Sequence, residues 1–428
     1  MKMPYIELIK ERENAYENVK NQLISSQQIP KYGYSQHIIQ QLLFYFSSAD
    51  FNNHQSSGAG EREGRVFSSL VQQRHYGFSH GIGRSGDLLE DQPKAAGSSL
   101  LHRITRNLAC HALQKCGFQA KDTLITPFCV GMSINYIIQH LKLKTIAWIR
   151  MDQKSVPKAI QLSGAKIIVI NTIAKNNYVI GDYNQLELII NDVDCVISTT
   201  SCFSPRVPDN MQQICQIVGK NKKYHIVNNA YGIHSEIMHQ LNKYPSINFV
   251  VSSLDKNFMI PVSGCLIYSK YKQQIQDLGK SYAGRASGSQ IIDLFITLLE
   301  LGQMGIAQLQ KQRRNIFELF VNELQKIPQI VVTTIPDNDI SFYFYFTDQS
   351  KYEAKKISSE LFRSGISGSK ALIKGKTEFF QTFILEDFGR GGVHDFPDYI
   401  TCAASIGMQQ TEVYNYIKKL KQIISSVQ

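Results

Sequence analysis

One lysine lies where an apolar stretch gives way to a polar turn. The segment VVSSLDKNFMIPVSG, residues 250–264, runs from apolar residues through Lys256 to Gly264. Imine formation with an aldehyde requires a neutral amine, and an apolar setting favours the neutral form of a lysine. The segment therefore predicts a Schiff-base lysine, although an ordinary surface lysine fits the same residues.

A second segment, YHIVNNAYGIHS at residues 224–235, offers partners for that chemistry. In pyridoxal-phosphate (PLP) enzymes with a large domain, a strand ends in an acidic residue that pairs with the pyridine nitrogen. An alanine and an aromatic residue follow it, and the Schiff-base lysine comes some tens of residues later. Asn228, Ala230 and Tyr231 occupy these places ahead of Lys256. Because asparagine stabilises a charged pyridine nitrogen less than a carboxylate does, the pattern favours β-elimination of a good leaving group.

A third segment, PFCVGMSINYII at residues 127–138, predicts the start of a helix directly after a strand. Backbone amides at a helix amino terminus bind anions, so Gly131, Met132 and Ser133 are predicted to hold the cofactor phosphate. A helix that Ser133 merely caps remains open as an alternative.

The polar, glycine-containing stretch of residues 60–101 carries a set of cationic side chains: Arg62, Arg65, Arg74, Arg84 and Lys94. Arginines on such a loop bind phosphate through paired hydrogen bonds, and Ser85 and Gln92 add neutral donors. The stretch predicts a phosphate-binding loop, and a solvated basic loop is the alternative.

Composition limits the class of protein. The chain has 428 residues with 46 Lys+Arg against 35 Asp+Glu, and the net charge of +11 favours a polyanionic partner. Its eight cysteines are scattered without a CxxC motif, which favours a reducing compartment and argues against structural zinc. The charged amino terminus does not fit a signal peptide, and no apolar run reaches membrane-span length. We therefore expect a cytoplasmic protein with no membrane and no metal.

The elements that must position these residues alternate between strand and helix. This alternation predicts an α/β fold whose mostly parallel sheet binds ligands at the carboxyl ends of its strands. The predicted strands are 123–127, 145–149, 166–170, 195–199, 225–228, 249–252 and 264–268. The predicted helices are 5–25, 35–46, 132–141, 153–162, 184–190, 211–218, 233–241, 290–326 and 410–424. The aromatic run SFYFYF at 341–346 is predicted to belong to a smaller second domain.

Taken together and in order, these segments resemble the O-phosphoseryl-tRNA(Sec) selenium transferase family, closely over about residues 50–310 and loosely beyond. The resemblance rests on ten strings: GEREGRV, RHY, HGIGRSGD, QPKAAGSSLL, DQKS, TTSC, PRVPD, HIVNNAYG, SLDKNFM and GRAS.

The resemblance implies a fold-type-I PLP enzyme with a mostly parallel seven-stranded sheet and a smaller α+β carboxyl-terminal domain. The implied domains are an amino-terminal helical extension (1–50), a large domain (51–325) with the phosphate-binding loop at 60–101, and a small domain (326–428). The implied reaction converts O-phosphoseryl-tRNA(Sec) to selenocysteinyl-tRNA(Sec) by β-elimination of phosphate and addition of selenium from selenophosphate. The implied assembly is a homotetramer built from two dimers, with the 62–92 loop completing a site across a subunit interface.

Site residues carry over by position. Lys256 would hold PLP and act as the base, and the residues near the cofactor would be Arg62, Asn228 and Gln153. The resemblance assigns the substrate phosphate to Arg84, Ser85, Gln92, Arg285 and Lys154.

The sequence departs from the family at two predicted tRNA contacts. Where the family has an arginine near the acceptor end, this chain has Glu386 or Asp387, and Arg390 lies close by in sequence. Lys243 stands in place of another tRNA-contacting arginine, which keeps the charge but loses the bidentate fork. The sequence predicts Lys243 and Arg390 as tRNA contacts.

Two other readings compete with this one. A related PLP enzyme could act on a free amino acid, by decarboxylation or by transfer of sulfur. A tRNA-binding protein that has lost catalysis would lack the absorbance of bound PLP.

Overall fold

The computed structural model describes residues 4–54, 57–200 and 205–427. Its helices are α1 (Pro4–Ser26), α2 (Gln36–Ser47), α3 (Ser69–Arg74), α4 (Ala96–Lys115), α5 (Val130–Leu141), α6 (Ser155–Ser163), α7 (Tyr183–Ile189), α8 (Met211–Lys220), α9 (Ile237–Leu241), α10 (Leu254–Phe258), α11 (Lys272–Gly279), α12 (Ser289–Gln325), α13 (Ala354–Arg363) and α14 (Gln410–Ser426). Its strands are β1 (Asp122–Thr126), β2 (Thr145–Ile149), β3 (Lys166–Ile170), β4 (Thr172–Lys175), β5 (Tyr178–Gly181), β6 (Cys195–Thr199), β7 (Tyr224–Asn228), β8 (Phe249–Ser253), β9 (Cys265–Ser269), β10 (Ile330–Thr333), β11 (Ser341–Phe346), β12 (Lys370–Leu372), β13 (Glu378–Phe379), β14 (Ile384–Leu385) and β15 (Tyr399–Ala403).

The main sheet has seven strands in the order β1-β9-β8-β7-β6-β2-β3. The pairs β2/β3, β2/β6, β6/β7 and β7/β8 are parallel, and β1/β9 is antiparallel. Strands buried on both faces carry apolar runs, such as CVI in β6 and FVV in β8, and every residue of both strands is buried. The predicted mostly parallel α/β sheet is confirmed, and each of its seven predicted strands lies within one residue of an observed strand at both ends.

Contacts group the chain into two compact units, the first made of Met1–Pro127 and Ile260–Ala307 and the second of Phe128–Met259 and Gln308–Gln428. The three-segment domain organisation that the resemblance implies stays a prediction.

In the first unit, α2 packs against α4, whose buried side chains include Leu101, Ile104 and Leu108. The helices approach closely at Gly97, where a Cβ would lie 1.7 Å from the carbonyl oxygen of Phe46. Only glycine permits this contact, so the start of α4 is fixed against the end of α2.

In the second unit, α5 packs against α6 and against β8. A four-stranded sheet in the order β10-β11-β15-β12 belongs to the same unit. An apolar core formed with α13 and α14 covers it and includes Phe342, Phe344, Leu361 and Leu420. The aromatic run at 341–346 is strand β11, as predicted.

The longest helix, α12, is broken at Gly302, whose φ of 60° and ψ of −177° are not helical. Among the described residues it alone is long and apolar enough to cross a membrane. Half of its most apolar window is buried in the fold, as in the core helix of a soluble protein.

Several elements were not predicted from the sequence. They are the helices α3, α4, α10, α11 and α13, the hairpin β4–β5, and the strands β10 and β12–β15. Helix α9 begins at Ile237, four residues later than the predicted 233. These elements are short or polar, so their apolar periodicity is weak.

Candidate active site

Lys256 lies on the one-turn helix α10, which begins directly after β8. Its Nζ lies 3.1 Å from Oγ of Ser253 and 3.3 Å from Oδ2 of Asp255. The ring centroid of Tyr231 is 5.6 Å from the same Nζ. The lysine side chain is 34% exposed, so a ligand can reach the amine. The prediction of a lysine at a strand end is confirmed, but its immediate neighbours are polar as well as aromatic.

Asn228 is the last residue of β7, the strand next to β8, and is 1% exposed. Its Oδ1 accepts the backbone N–H of Ala230 at 3.3 Å, so the side chain is fixed at the strand end. Burial and the nearby Asp255 carboxylate raise the pKa of Tyr231. The segment after β7 thus brings its aromatic residue to Lys256, as its spacing indicated.

The predicted phosphate site lies in the first turn of α5, a twelve-residue helix that begins at Val130. Gly131 and Ser133 are buried, while Met132 is 40% exposed. A Cβ on Gly131 would lie 3.1 Å from the carbonyl oxygen of Ser155. The start of α5 is therefore packed against the start of α6, directly after Gln153 and Lys154.

These residues suit PLP. Lys256 and Asn228 lie at the carboxyl ends of adjacent parallel strands, and Gln153 lies in the loop after β2, where α/β sheets bind ligands. A reachable amine, an amide at the next strand end and a helix amino terminus match the aldehyde, ring and phosphate of the cofactor. The donor set therefore fits the predicted cofactor.

The first unit contains a cavity of about 610 Å³, here called the anion cavity. It is lined by Arg62, Arg84, Ser85, Gly86, Gln92, Lys94, Ala283, Gly284 and Arg285. Four of these residues, Arg84, Ser85, Gln92 and Arg285, were assigned to the substrate phosphate from the sequence. Arg62, predicted near the cofactor, lines the same cavity. Residues up to 223 positions apart in the chain are thus gathered around one space.

Charges in the anion cavity are only partly compensated. Burial and the neighbouring Arg62 lower the pKa of Arg285, which indicates that two guanidinium groups share the site. Arg285 also donates a hydrogen bond to the carbonyl oxygen of His80. Lys94 is paired with Glu63 at 2.6 Å. An added phosphate would relieve this repulsion and accept several charged donors.

A tight turn presents Arg84 and Ser85 to the anion cavity. The backbone N–H of Arg84 donates to the carbonyl of Asp87 at 2.8 Å, and that of Asp87 donates back at 2.9 Å. Ser85 has a positive φ of 51°, as residues in such turns do. The turn fixes the backbone from which both side chains extend.

Lys154, also predicted to bind the substrate phosphate, does not line the anion cavity. It is exposed, forms an ion pair with Glu378, and its Nζ lies 5.9 Å from the ring of Phe388. Its predicted role is untested.

The two predicted tRNA contacts differ in exposure. Lys243 is exposed after α9 and is free to meet a polyanion. Arg390 is fully buried and donates to the carbonyl oxygens of Leu372, Phe396 and Pro397. The guanidinium of Arg390 therefore serves the fold, and its contact with tRNA stays a prediction.

Sequence reasoning missed three neighbours of the site residues. Ser253 and Asp255 contact Lys256, and Glu63 neutralises Lys94. Ser253 and Asp255 lie three and one positions before the lysine, so a search one helical turn around it could have found them.

Comparison with known proteins finds the same family that the sequence resembles. A family model described as O-phosphoseryl-tRNA(Sec) selenium transferase, SepSecS, matches residues 49–425. The transferase of that name from Dictyostelium discoideum is 33% identical over 99% of this chain and 97% of its own. The one from Caenorhabditis elegans is 35% identical over 94% and 88%, respectively.

Solved structures agree. A crystal structure of an archaeal O-phosphoseryl-tRNA(Sec) selenium transferase superposes with a TM-score of 0.88 at 26% identity, covering 99% of this chain and 98% of that one. Tryptophan decarboxylase from Catharanthus roseus, with a TM-score of 0.61 at 10% identity and coverage of 99% and 97%, shares the fold alone. These neighbours confirm the predicted fold type I. The chain belongs to the O-phosphoseryl-tRNA(Sec) selenium transferase family.

Proposed function

We propose that this protein converts O-phosphoseryl-tRNA(Sec) to selenocysteinyl-tRNA(Sec), with PLP as cofactor and selenophosphate as selenium donor. The match to the family over residues 49–425 supports the reaction. The observation that carries it in the structure is the anion cavity, where three arginines and a lysine meet beside neutral donors. Such a cavity suits a phosphate that leaves as a dianion.

The cofactor would be held by Lys256, with Asn228 and Gln153 at its ring and Gly131, Met132 and Ser133 at its phosphate. When bound, PLP supplies an electron sink for the carbon that loses its proton. Nζ of Lys256 is the base that takes this proton, since the amine is reachable and fixed by Ser253.

The substrate phosphate would be held by Arg84, Ser85, Gln92 and Arg285, with Lys154 assisting and Arg62 reaching the cofactor. Charged donors that face a leaving phosphate stabilise it as it departs, and each contributes about 3 kcal/mol. Selenophosphate then delivers selenium to the carbon that has lost phosphate, and water cleaves the P–Se bond so that the donor's own phosphate is released.

The finer parts of the proposal have separate support. The net charge of +11 and the exposed Lys243 support binding of tRNA(Sec). The seven described cysteines are free, which supports a cytoplasmic location. The homotetramer and the three-segment domain organisation rest on family resemblance.

The test is release of phosphate from phosphoseryl-tRNA(Sec) by purified protein loaded with PLP. We expect turnover in the wild type. In Lys256→Ala the rate of phosphate release should fall about 10³-fold or more, and the visible absorbance of bound PLP should also be lost. Lys272→Ala, at an exposed lysine, is the matched control and should retain activity.

Other outcomes would favour other functions. Turnover of free phosphoserine at an equal rate would favour an enzyme of amino-acid metabolism. A wild type that binds tRNA but shows no PLP absorbance would favour a binding protein without catalysis.

A further inference from the structure

The carboxylate of Asp152 is a meeting point of two distant parts of the second unit. Its side chain is only 4% exposed and directly precedes Gln153. Oδ1 accepts a hydrogen bond from Nε of Arg150 at 2.8 Å, and Oδ2 accepts one from Nη2 of the same residue at 3.2 Å. Oδ2 also accepts the backbone N–H groups of Gly389 and Gly391 at 2.7 and 2.8 Å. One buried carboxylate therefore holds four donors, two of them more than 230 residues away in sequence.

The 386–392 loop that Asp152 binds is also anchored on its other side. Arg390 lies between the two glycines and is fully buried. It donates to the carbonyl of Phe396 at 2.6 Å and to those of Pro397 and Leu372 at 3.2 and 3.4 Å. Alternate residues of one short loop therefore point to opposite anchors.

Further contacts join the loop to the residue directly after β2 and to the first residue of β4. Nη2 of Arg150 donates to the carbonyl of Glu386 at 2.6 Å, and Oγ1 of Thr172 donates to the carbonyl of Gly391. Gly389 has a φ of 100°, and a Cβ there would lie 2.8 Å from Cδ2 of Leu372. The loop can keep this path only with glycine at that position, so its shape is fixed by sequence.

We propose that Asp152 is a positioning residue that couples the 386–392 loop to Gln153, and through it to the bound cofactor. A displacement of the loop moves the side chain of Asp152. The backbone of Asp152 is joined directly to that of Gln153, so the movement reaches Gln153. The coupling also runs in reverse, because a ligand that orders Gln153 orders the loop. The tRNA acceptor end is expected at the carboxyl-terminal segment. A change in that segment would thus be coupled to the environment of the cofactor ring.

This inference rests on the proposed function only for the role of Gln153 at the cofactor, so PLP alone is a sufficient probe. The variant is Asp152→Asn, which replaces one oxygen by an NH₂ donor facing other donors. The matched control is Asp194→Asn. Asp194 lies at the opposite end of β2, where its Oδ2 likewise accepts two backbone N–H groups, of Lys144 and Thr145, at 2.7 and 2.9 Å.

Two measurements are made on each protein. The first is the dissociation constant of PLP, followed by its absorbance. The second is amide hydrogen exchange of peptides covering residues 386–393 and 150–155, with and without PLP. The exchange rate without PLP measures how firmly Asp152 holds the 386–392 loop. The change in this rate when PLP binds measures the coupling between the loop and the cofactor.

In the wild type we expect PLP to slow exchange in residues 386–393. In Asp152→Asn we expect this protection to disappear and the PLP dissociation constant to rise about tenfold, as loss of one charged hydrogen bond allows. Asp194→Asn should keep both properties within about twofold.

Two results would overturn the proposal. One is a wild type that binds PLP with no change of exchange in 386–393. The other is an Asp152→Asn protein with a lowered melting temperature but unchanged PLP affinity and protection, since that is a purely structural role. If Asp152→Asn does not fold, Thr172→Val, which removes one hydrogen bond to the same loop, takes its place, and unchanged protection in it counts against the coupling.

Failure of the proposed function looks different. A protein that binds PLP and shows the protection, yet releases no phosphate from phosphoseryl-tRNA(Sec), would leave the coupling intact and remove the reaction.

Discussion

Nη1 of Arg84, which lines the anion cavity, lies 3.6 Å from Oε1 of Glu90, and both side chains are about half exposed. An exposed pair of this kind contributes little to stability, so Glu90 does not lock the arginine in place. A phosphate can therefore displace Glu90 from Arg84.

This relationship predicts opposite effects for the two partners. Arg84→Gln removes a charged donor and should weaken binding of phosphoserine by about tenfold or more. Glu90→Gln removes a competing carboxylate and should leave binding unchanged or tighten it. Titration of both variants with phosphoserine checks this. Weaker binding in Glu90→Gln would show that the carboxylate positions Arg84 rather than competes with phosphate.

Cys129 should report on the cofactor phosphate. It is exposed and is the residue that precedes the first turn of α5. PLP bound at Gly131–Ser133 would cover it, and alkylation by iodoacetamide should slow by about tenfold. Mass spectrometry of the labelled peptide measures the rate, and pyridoxal without its phosphate is the control. Equal protection by pyridoxal would argue against a phosphate site at this helix.

The buried cysteines give an internal reference for that experiment. Burial raises the pKa of Cys110 and Cys116 to about 12, and that of Cys402 to about 11. Their thiols stay protonated at neutral pH, so they should remain unlabelled in the folded protein whether or not PLP is present.

Stability should fall in mild acid because three histidines are buried in the neutral form. Burial lowers the pKa of His102 and His225 to about 3 and that of His234 to about 4. Below the unfolded value of about 6.5, the unfolded chain binds protons that the native fold does not. Each histidine therefore lowers stability by about 1 kcal/mol as pH falls from 6.5 to 5.5, and its slope approaches about 1.4 kcal/mol per pH unit below that.

One substitution isolates a single histidine. His225 is hydrogen bonded to Ser198 at 2.7 Å, and His225→Gln retains a polar partner there. Its free energy of unfolding should drop by about 1 kcal/mol less than that of the wild type between pH 6.5 and 5.5. His37→Gln, at an exposed histidine, should follow the wild type. Identical slopes in all three proteins would mean that His225 takes up a proton in the native state.

The burial of Arg390 separates stability from tRNA binding. Arg390→Ala removes the donor to several carbonyl groups and one of the donors to the Asp398 carboxylate, and it should cost about 3 kcal/mol of unfolding free energy. Lys243→Ala should change stability by less than about 0.5 kcal/mol but weaken tRNA binding and reduce its salt dependence. Denaturant unfolding and tRNA titration at two salt concentrations check both. A stable Arg390→Ala protein with weakened tRNA binding would support a contact between Arg390 and tRNA.

The sequence by itself determined the main sheet and the reactive residues. Buried parallel strands are short apolar runs separated by helices, so 145–149, 166–170 and 195–199 were predicted with the bounds that are observed. The spacing of Asn228, Tyr231 and Lys256 was enough to place them at neighbouring strand ends. Local patterns carry this information because a strand end and the turn after it are built from consecutive residues.

Only the tertiary structure decided which charged residues face a ligand and which serve the fold. Arg84 and Arg390 are both arginines beside glycine, yet one lines the anion cavity and the other is fully buried. Asp152 and Gly391 are joined although no local pattern links them. The role of a charge depends on the donors and acceptors that distant segments bring to it, and a sequence read locally does not contain those distances.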